Sequence, residues 1–124
     1  MNTIISEEEH REHIENIVRA LAVLKGEDEF RAFLSDICTP QEIRSLSNRI
    51  IAAQMLYESH SYRDIIDRLG LSTATVGRVS RCVKAGAGGY LAAVLRLNGD
   101  NPDEYKCRIA QPGRGACPAA GHAF

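Results

Sequence analysis

The chain has 124 residues, 44% of them hydrophobic and 25% charged, with a formal net charge of −1. That length suits one small globular domain, and the near-neutral balance excludes a uniformly basic nucleic-acid coat. No apolar run reaches the roughly 20 residues of a membrane span, and no leader-like stretch precedes the first charged segment, so a cytoplasmic protein without membrane contact is expected.

Ser6–Lys25 reads as a first helix. Ser6 and Glu9 have the spacing of a capping box, and Ile14, Ile17, Val18, Leu21 and Leu24 form an apolar stripe at helical period. Gly26 is expected to end it. Asp28–Ile37 reads as a second helix, with Phe30, Phe33, Leu34 and Ile37 on one face. Thr39–Tyr57 is a third, with Thr39 as N-cap, Pro40 at the first helical position and Glu42 closing a second capping box.

Ser61–Lys84, SYRDIIDRLGLSTATVGRVSRCVK, is the most informative segment: two short helices joined by a tight turn, a helix-turn-helix. Ser61 suits the N-cap of the first helix, with Asp64 in a first turn where the helix dipole favours negative charge. Gly70 fits the left-handed position that closes it, and Ser72 or Thr73 can cap the second helix. Ile65, Leu69, Leu71, Val76 and Val79 are placed to lock the pair across the turn. On the second helix, Val76, Val79 and Val83 share one face, and Ala74, Gly77, Arg78 and Arg81 fall near the opposite one. Small residues let a helix approach base edges, while arginines reach phosphates or guanine. Lys84 is placed to neutralise a phosphate. The segment holds five Lys or Arg against two Asp, whereas residues 1–30 hold eight acidic side chains against three basic ones. An acidic arm and a basic head suit docking on DNA through one face.

Gly86-Ala87-Gly88-Gly89 breaks the chain, and Tyr90–Leu97 gives a last short helix with Leu91, Val94 and Leu95 apolar. Residues 98–124 contain seven Gly or Pro without apolar periodicity and read as a flexible tail. The expected organisation is an all-α domain over residues 1–97 followed by that tail. The apolar stripes of the first two helices find no obvious cover in so short a chain. The economical arrangement is an intertwined homodimer in which the stripes pair between chains; burial within one chain is the alternative.

No metal or catalytic site is expected. Cys107, Cys117 and His122 fit no common zinc spacing, His10 and His13 read as surface residues, and Cys38 and Cys82 read as small apolar thiols. No nucleophile–base pair or paired carboxylates stand out. AGAGGY lacks the lysine and flanking strand of a phosphate loop.

The stretches FLSDICTPQEIRSLSNRIIAAQML and SYRDIIDRLGLSTATVGRVSRCVKAGAGGY resemble the tryptophan repressor superfamily, and are most similar to its tryptophan-repressor-related branch in Gram-positive bacteria. The resemblance covers about Phe30–Leu97, and the N-terminal helices more loosely. It implies an all-α intertwined homodimer that binds double-stranded operator DNA through the helix-turn-helix. It also implies an effector site between the central helix and the reading helix, which in the repressor holds L-tryptophan. Arg49 and Arg78 match the two arginines that sandwich the indole ring, and flat guanidinium groups stack well on aromatic rings. Thr39 and Thr75 match threonines of that site. Arg63 matches a base-contacting arginine, and Thr73, Ala74 and Gly77 match direct or water-mediated contact positions.

Ile66 replaces a basic contact residue, and Gly77 replaces a hydroxyl-bearing one, so the operator is expected to differ. Val79 stands where the repressor has glycine, and Cys82 where it has serine. A smaller, less polar pocket is therefore expected. No cofactor is implied beyond a small-molecule corepressor, and the departures argue against L-tryptophan. The expected function is a homodimeric transcriptional regulator. A second reading is a dimeric protein-interaction platform that docks through the acidic first helix and keeps a vestigial reading head.

Overall fold

The computed structural model describes residues 4–100, whose backbone forms six helices and no strand. They are α1 (Glu7–Ala22), α2 (Gly26–Ile37), α3 (Pro40–Tyr57), α4 (Tyr62–Leu69), α5 (Thr73–Ala85) and α6 (Gly89–Leu97). The all-α expectation holds, and α4 and α5 are the two helices of the helix-turn-helix. None of the described helices is long and apolar enough to cross a membrane. The expected tail lies almost wholly outside the described residues, as do Cys107, Cys117 and His122.

Local chemistry sets most helix starts. The Ser6 hydroxyl accepts from the Glu9 N–H at 3.2 Å, and the Glu9 carboxylate accepts from the Ser6 N–H at 3.0 Å, a complete capping box. The Thr39 hydroxyl accepts from the Glu42 N–H at 3.2 Å. The first two helix boundaries differ from the expectation. α1 stops at Ala22 rather than Lys25, and Gly26 does not terminate it. Gly26 takes a left-handed φ of +76° and opens α2 two residues before Asp28. The Glu29 carboxylate accepts from the Lys25 N–H at 3.0 Å, and Glu27, Asp28 and Glu29 crowd the first turn, where the helix dipole favours them. A side chain four residues ahead thus outweighs the terminating tendency of glycine.

Backbone contacts divide the chain into two units, with the boundary inside α3 between Ile43 and Arg44. The first holds α1, α2 and the start of α3. No residue of α1 or α2 is buried in the single chain. Ile17 is 51% exposed, Phe30 42% and Ile37 55%.

The second unit holds the core. Ala52, Ala53 and Met55 of α3, Ile65 of α4, Val76 and Val79 of α5, and Val94 of α6 form one buried cluster. Leu91 and Leu95 are buried as well. The two alanines are fully buried, so α3 meets its neighbours close to its backbone. Each buried branched aliphatic side chain contributes about 1.5–3 kcal/mol of transfer free energy. Leu69, Leu71 and Val83 pack against the cluster from its edge, and so does Ile66. Ser80 is only 3% exposed, although it lies among the polar positions of the sequence. Its burial costs little, because no buried side-chain nitrogen or oxygen among the described residues lacks a partner. Beyond α6, the Tyr57 hydroxyl hydrogen-bonds to the Asp100 carboxylate.

Two outcomes follow from these ends. The Ser6 backbone N–H first, and then its hydroxyl, hold the Glu9 carboxyl below its ordinary value of 4.5. The pKa is depressed on folding, so the contribution is present above the unfolded value and is lost as pH falls through the folded one. A carboxyl titration followed by NMR should show Glu9 titrating below its ordinary value, with the shift abolished in Ser6→Ala. At the end of α5, a Cβ on Gly86 would sit 2.5 Å from the Cys82 carbonyl oxygen. Gly86→Ala should therefore cost about 1–3 kcal/mol in a denaturant melt, and a wild-type melting curve would contradict this account of the end of α5.

Candidate nucleic-acid interface

The helix-turn-helix is built from two serine caps and one left-handed glycine. The Ser61 hydroxyl accepts from the Asp64 N–H at 3.2 Å at the start of α4. Gly70, at φ +67°, ends that helix and donates its N–H to the Ile66 carbonyl. The Ser72 hydroxyl, rather than that of Thr73, caps α5 by accepting from the Thr75 N–H at 3.1 Å. Thr73 is thereby left as the first residue of the helix, with its side chain exposed.

The inner faces fix how these helices are presented. Ile65, Val76 and Val79 are buried, so the opposite side of α5 is turned outward. Arg63, Thr73, Ala74, Arg78, Arg81 and Lys84 are all exposed, and Gly77 is half-buried. Ile66 is half-buried against the core and so belongs to the packing. Arg78, Arg81 and Lys84 line a shallow groove that runs along α5 to Gly86. A positive stripe therefore follows the C-terminal part of the reading helix, beyond the small residues at its start.

On the α3 and α6 side of α5 lies a cavity of about 380 Å³. Arg49, Ala74, Thr75, Arg78, Val79, Cys82 and Tyr90 line it. Three of the four effector positions read from the sequence, Arg49, Thr75 and Arg78, thus share one cavity within the second unit. Thr39 lies in the first unit, where its hydroxyl caps α3. The two substituted positions, Val79 and Cys82, also line the cavity. The Thr75 hydroxyl is 2.9 Å from that of Ser72, so the α5 cap engages it. Ala74 contributes to the wall as well as to the exposed side of the helix. Nothing in its sequence position marks Tyr90 as a cavity residue. It follows a glycine run at the start of a separate helix, and only the packing of α6 reveals its place.

Among the described residues, no group of three His, Cys, Asp or Glu could hold a metal ion. Cys38 and Cys82 are half-buried free thiols. His10 and His13 are exposed on α1.

Comparison with known proteins agrees with this architecture. The profile of the Trp repressor protein family matches residues 12–98. The uncharacterised protein YerC of Bacillus subtilis is 37% identical over 84 residues, covering 68% of this chain and 81% of that protein. The crystal structure of a TrpR-like protein from Eubacterium eligens is 40% identical with a TM-score of 0.63, covering 73% of this chain and 93% of that one. Over most of its length, then, the chain belongs to the Trp repressor protein family.

Proposed function

We propose that the chain is a homodimeric, sequence-specific DNA-binding regulator of transcription, acting in the cytoplasm on a double-stranded operator. Repression is the sign favoured by its family. The observation that carries the reading is the outer face of α5. Thr73, Ala74, Arg78, Arg81 and Lys84 are exposed on a helix whose other side is locked by Val76 and Val79. Membership of the Trp repressor protein family supports the same reading.

Gly77 adds a separate argument. Mid-helix glycine costs about 1 kcal/mol relative to alanine. A Cβ there would come no nearer than 3.8 Å to the Arg81 side chain, and the backbone needs no left-handed conformation. Packing does not require this glycine. Close approach of the helix to base edges does.

The homodimer is supported by the unburied apolar faces of α1 and α2. Two reading heads related by a twofold would meet major-groove faces about 34–36 Å apart. Arg49, Thr75 and Arg78 are read as effector-binding residues because they line one cavity against the reading helix. Thr39 is kept as a fourth on the resemblance alone. Val79 and Cys82 on the same wall argue against L-tryptophan as the effector.

The test uses the duplex that the wild-type chain prefers. Gly77→Ala should raise thermal stability by up to about 1 kcal/mol while weakening specific binding. Arg63→Ala should cost about 1–3 kcal/mol of specific affinity and relax the preference at one position of each half-site. Lys84→Ala should weaken binding to all duplexes and lower the salt slope by about 1. If affinities at two salt concentrations are unchanged in all three variants, this docking surface is wrong.

A further inference from the structure

We propose that a second cavity, between the end of α3, the start of α4 and the C-terminal half of α5, binds a small organic phosphate monoester. Its volume is about 340 Å³, and it shares no wall residue with the cavity of Arg49 and Arg78. The polar groups of its wall can all donate hydrogen bonds: the hydroxyls of Ser59, Tyr62 and Ser80, the imidazole of His60 and the ammonium group of Lys84. No carboxylate belongs to the wall, and Lys84 enters no ion pair among the described residues. Two acidic side chains touch wall residues, and each is engaged. The Glu58 carboxylate lies 3.4 Å from His60 Nε2, and the Asp100 carboxylate accepts from the Tyr57 hydroxyl. A lining rich in donors, cationic and free of acid selects an anion.

Ser80 is 3% exposed, and no described residue hydrogen-bonds to its hydroxyl, which takes its partner from the cavity instead. Ser59 holds a left-handed φ of +69°, where glycine is the usual residue and serine is strained. The turn that ends α3 fixes it there, with the Ser59 N–H donating to the Leu56 carbonyl at 3.1 Å and the His60 N–H to that of Met55 at 2.9 Å. Glycine would make the same turn without strain; serine adds a hydroxyl to the cavity wall. A terminal phosphoryl group offers three oxygens to these donors. A diester, with a substituent on either side, cannot present its free oxygens as deep as Ser80. Leu56, Val83 and the tyrosine rings line the rest of the cavity, which suits an apolar or aromatic organic part.

Three probes separate these features: phenyl phosphate, inorganic phosphate and dimethyl phosphate, titrated calorimetrically into the full chain. Phenyl phosphate should bind saturably with a Kd below about 1 mM, inorganic phosphate should bind more weakly, and dimethyl phosphate should give no heat. NMR shifts induced by phenyl phosphate should fall on His60, Tyr62 and Val83 and spare Val79 and Cys82 of the other cavity. Ser80→Ala and Lys84→Gln should each weaken binding at least about tenfold. Ser59→Gly should weaken binding while raising the melting temperature, a pairing that mere loss of structure does not give. Arg96→Gln, exposed on α6 and outside the wall, should bind as wild type does. The proposal is overturned by an absence of saturable phenyl phosphate binding, or by equal or tighter binding of dimethyl phosphate. Shifts confined to Val79 and Cys82, or binding that survives in Ser80→Ala, Lys84→Gln and Ser59→Gly alike, overturn it too. No DNA enters these measurements, so their outcome is independent of the regulator reading.

Discussion

The seating of α4, α5 and α6 against the C-terminal half of α3 is the contact on which the candidate function depends. Ala52 and Ala53 are fully buried there, with Ile65, Val76, Val79 and Val94 packed around them. Branched side chains restrict rotation and alanines permit close approach, so few alternative packings are open to the cluster. That restriction decides which side of α5 looks outward. Val76 and Val79 turn in, and Thr73, Ala74, Arg78 and Arg81 turn out. The same seating brings Arg49 of α3 and Tyr90 of α6 to the cavity beside α5. Reading face and cavity are therefore two consequences of one core, and Arg78 takes part in both.

The first unit obeys a different balance. α1 and α2 have good caps and strong apolar stripes, yet no residue of either is buried in the single chain. Ile14, Ile17, Val18 and Leu21 on α1, with Phe30, Leu34 and Ile37 on α2, remain substantially in contact with solvent. Contiguous apolar faces of this kind mark interaction surfaces. In the proposed regulator, pairing of two copies through them would supply the second reading head and hence the specificity.

Much of this was legible in the sequence where the determinant is local. Ser6, Ser61 and Gly70 could be assigned because a cap or a left-handed turn is decided by a few adjacent residues. The inward positions of α5 were readable from period alone. The end of α1 was not, because a side-chain bond from Glu29 back to Lys25 set the start of α2. Ser80 gave no signal of burial, since its environment comes from helices distant in sequence. Tyr90 was hidden for the same reason. Arg49, Thr75 and Arg78 were named from a resemblance, whereas their common cavity is a product of packing that spacing alone does not supply.

The central claim is that a symmetric pair of these heads reads DNA sequence. Its most direct test is selection by the full chain from a random pool of duplexes at moderate salt. Enrichment of a palindrome whose half-sites lie about one helical turn apart, or a multiple of it, is expected. A pool that stays random after repeated rounds, or enrichment of a single asymmetric half-site, would contradict it.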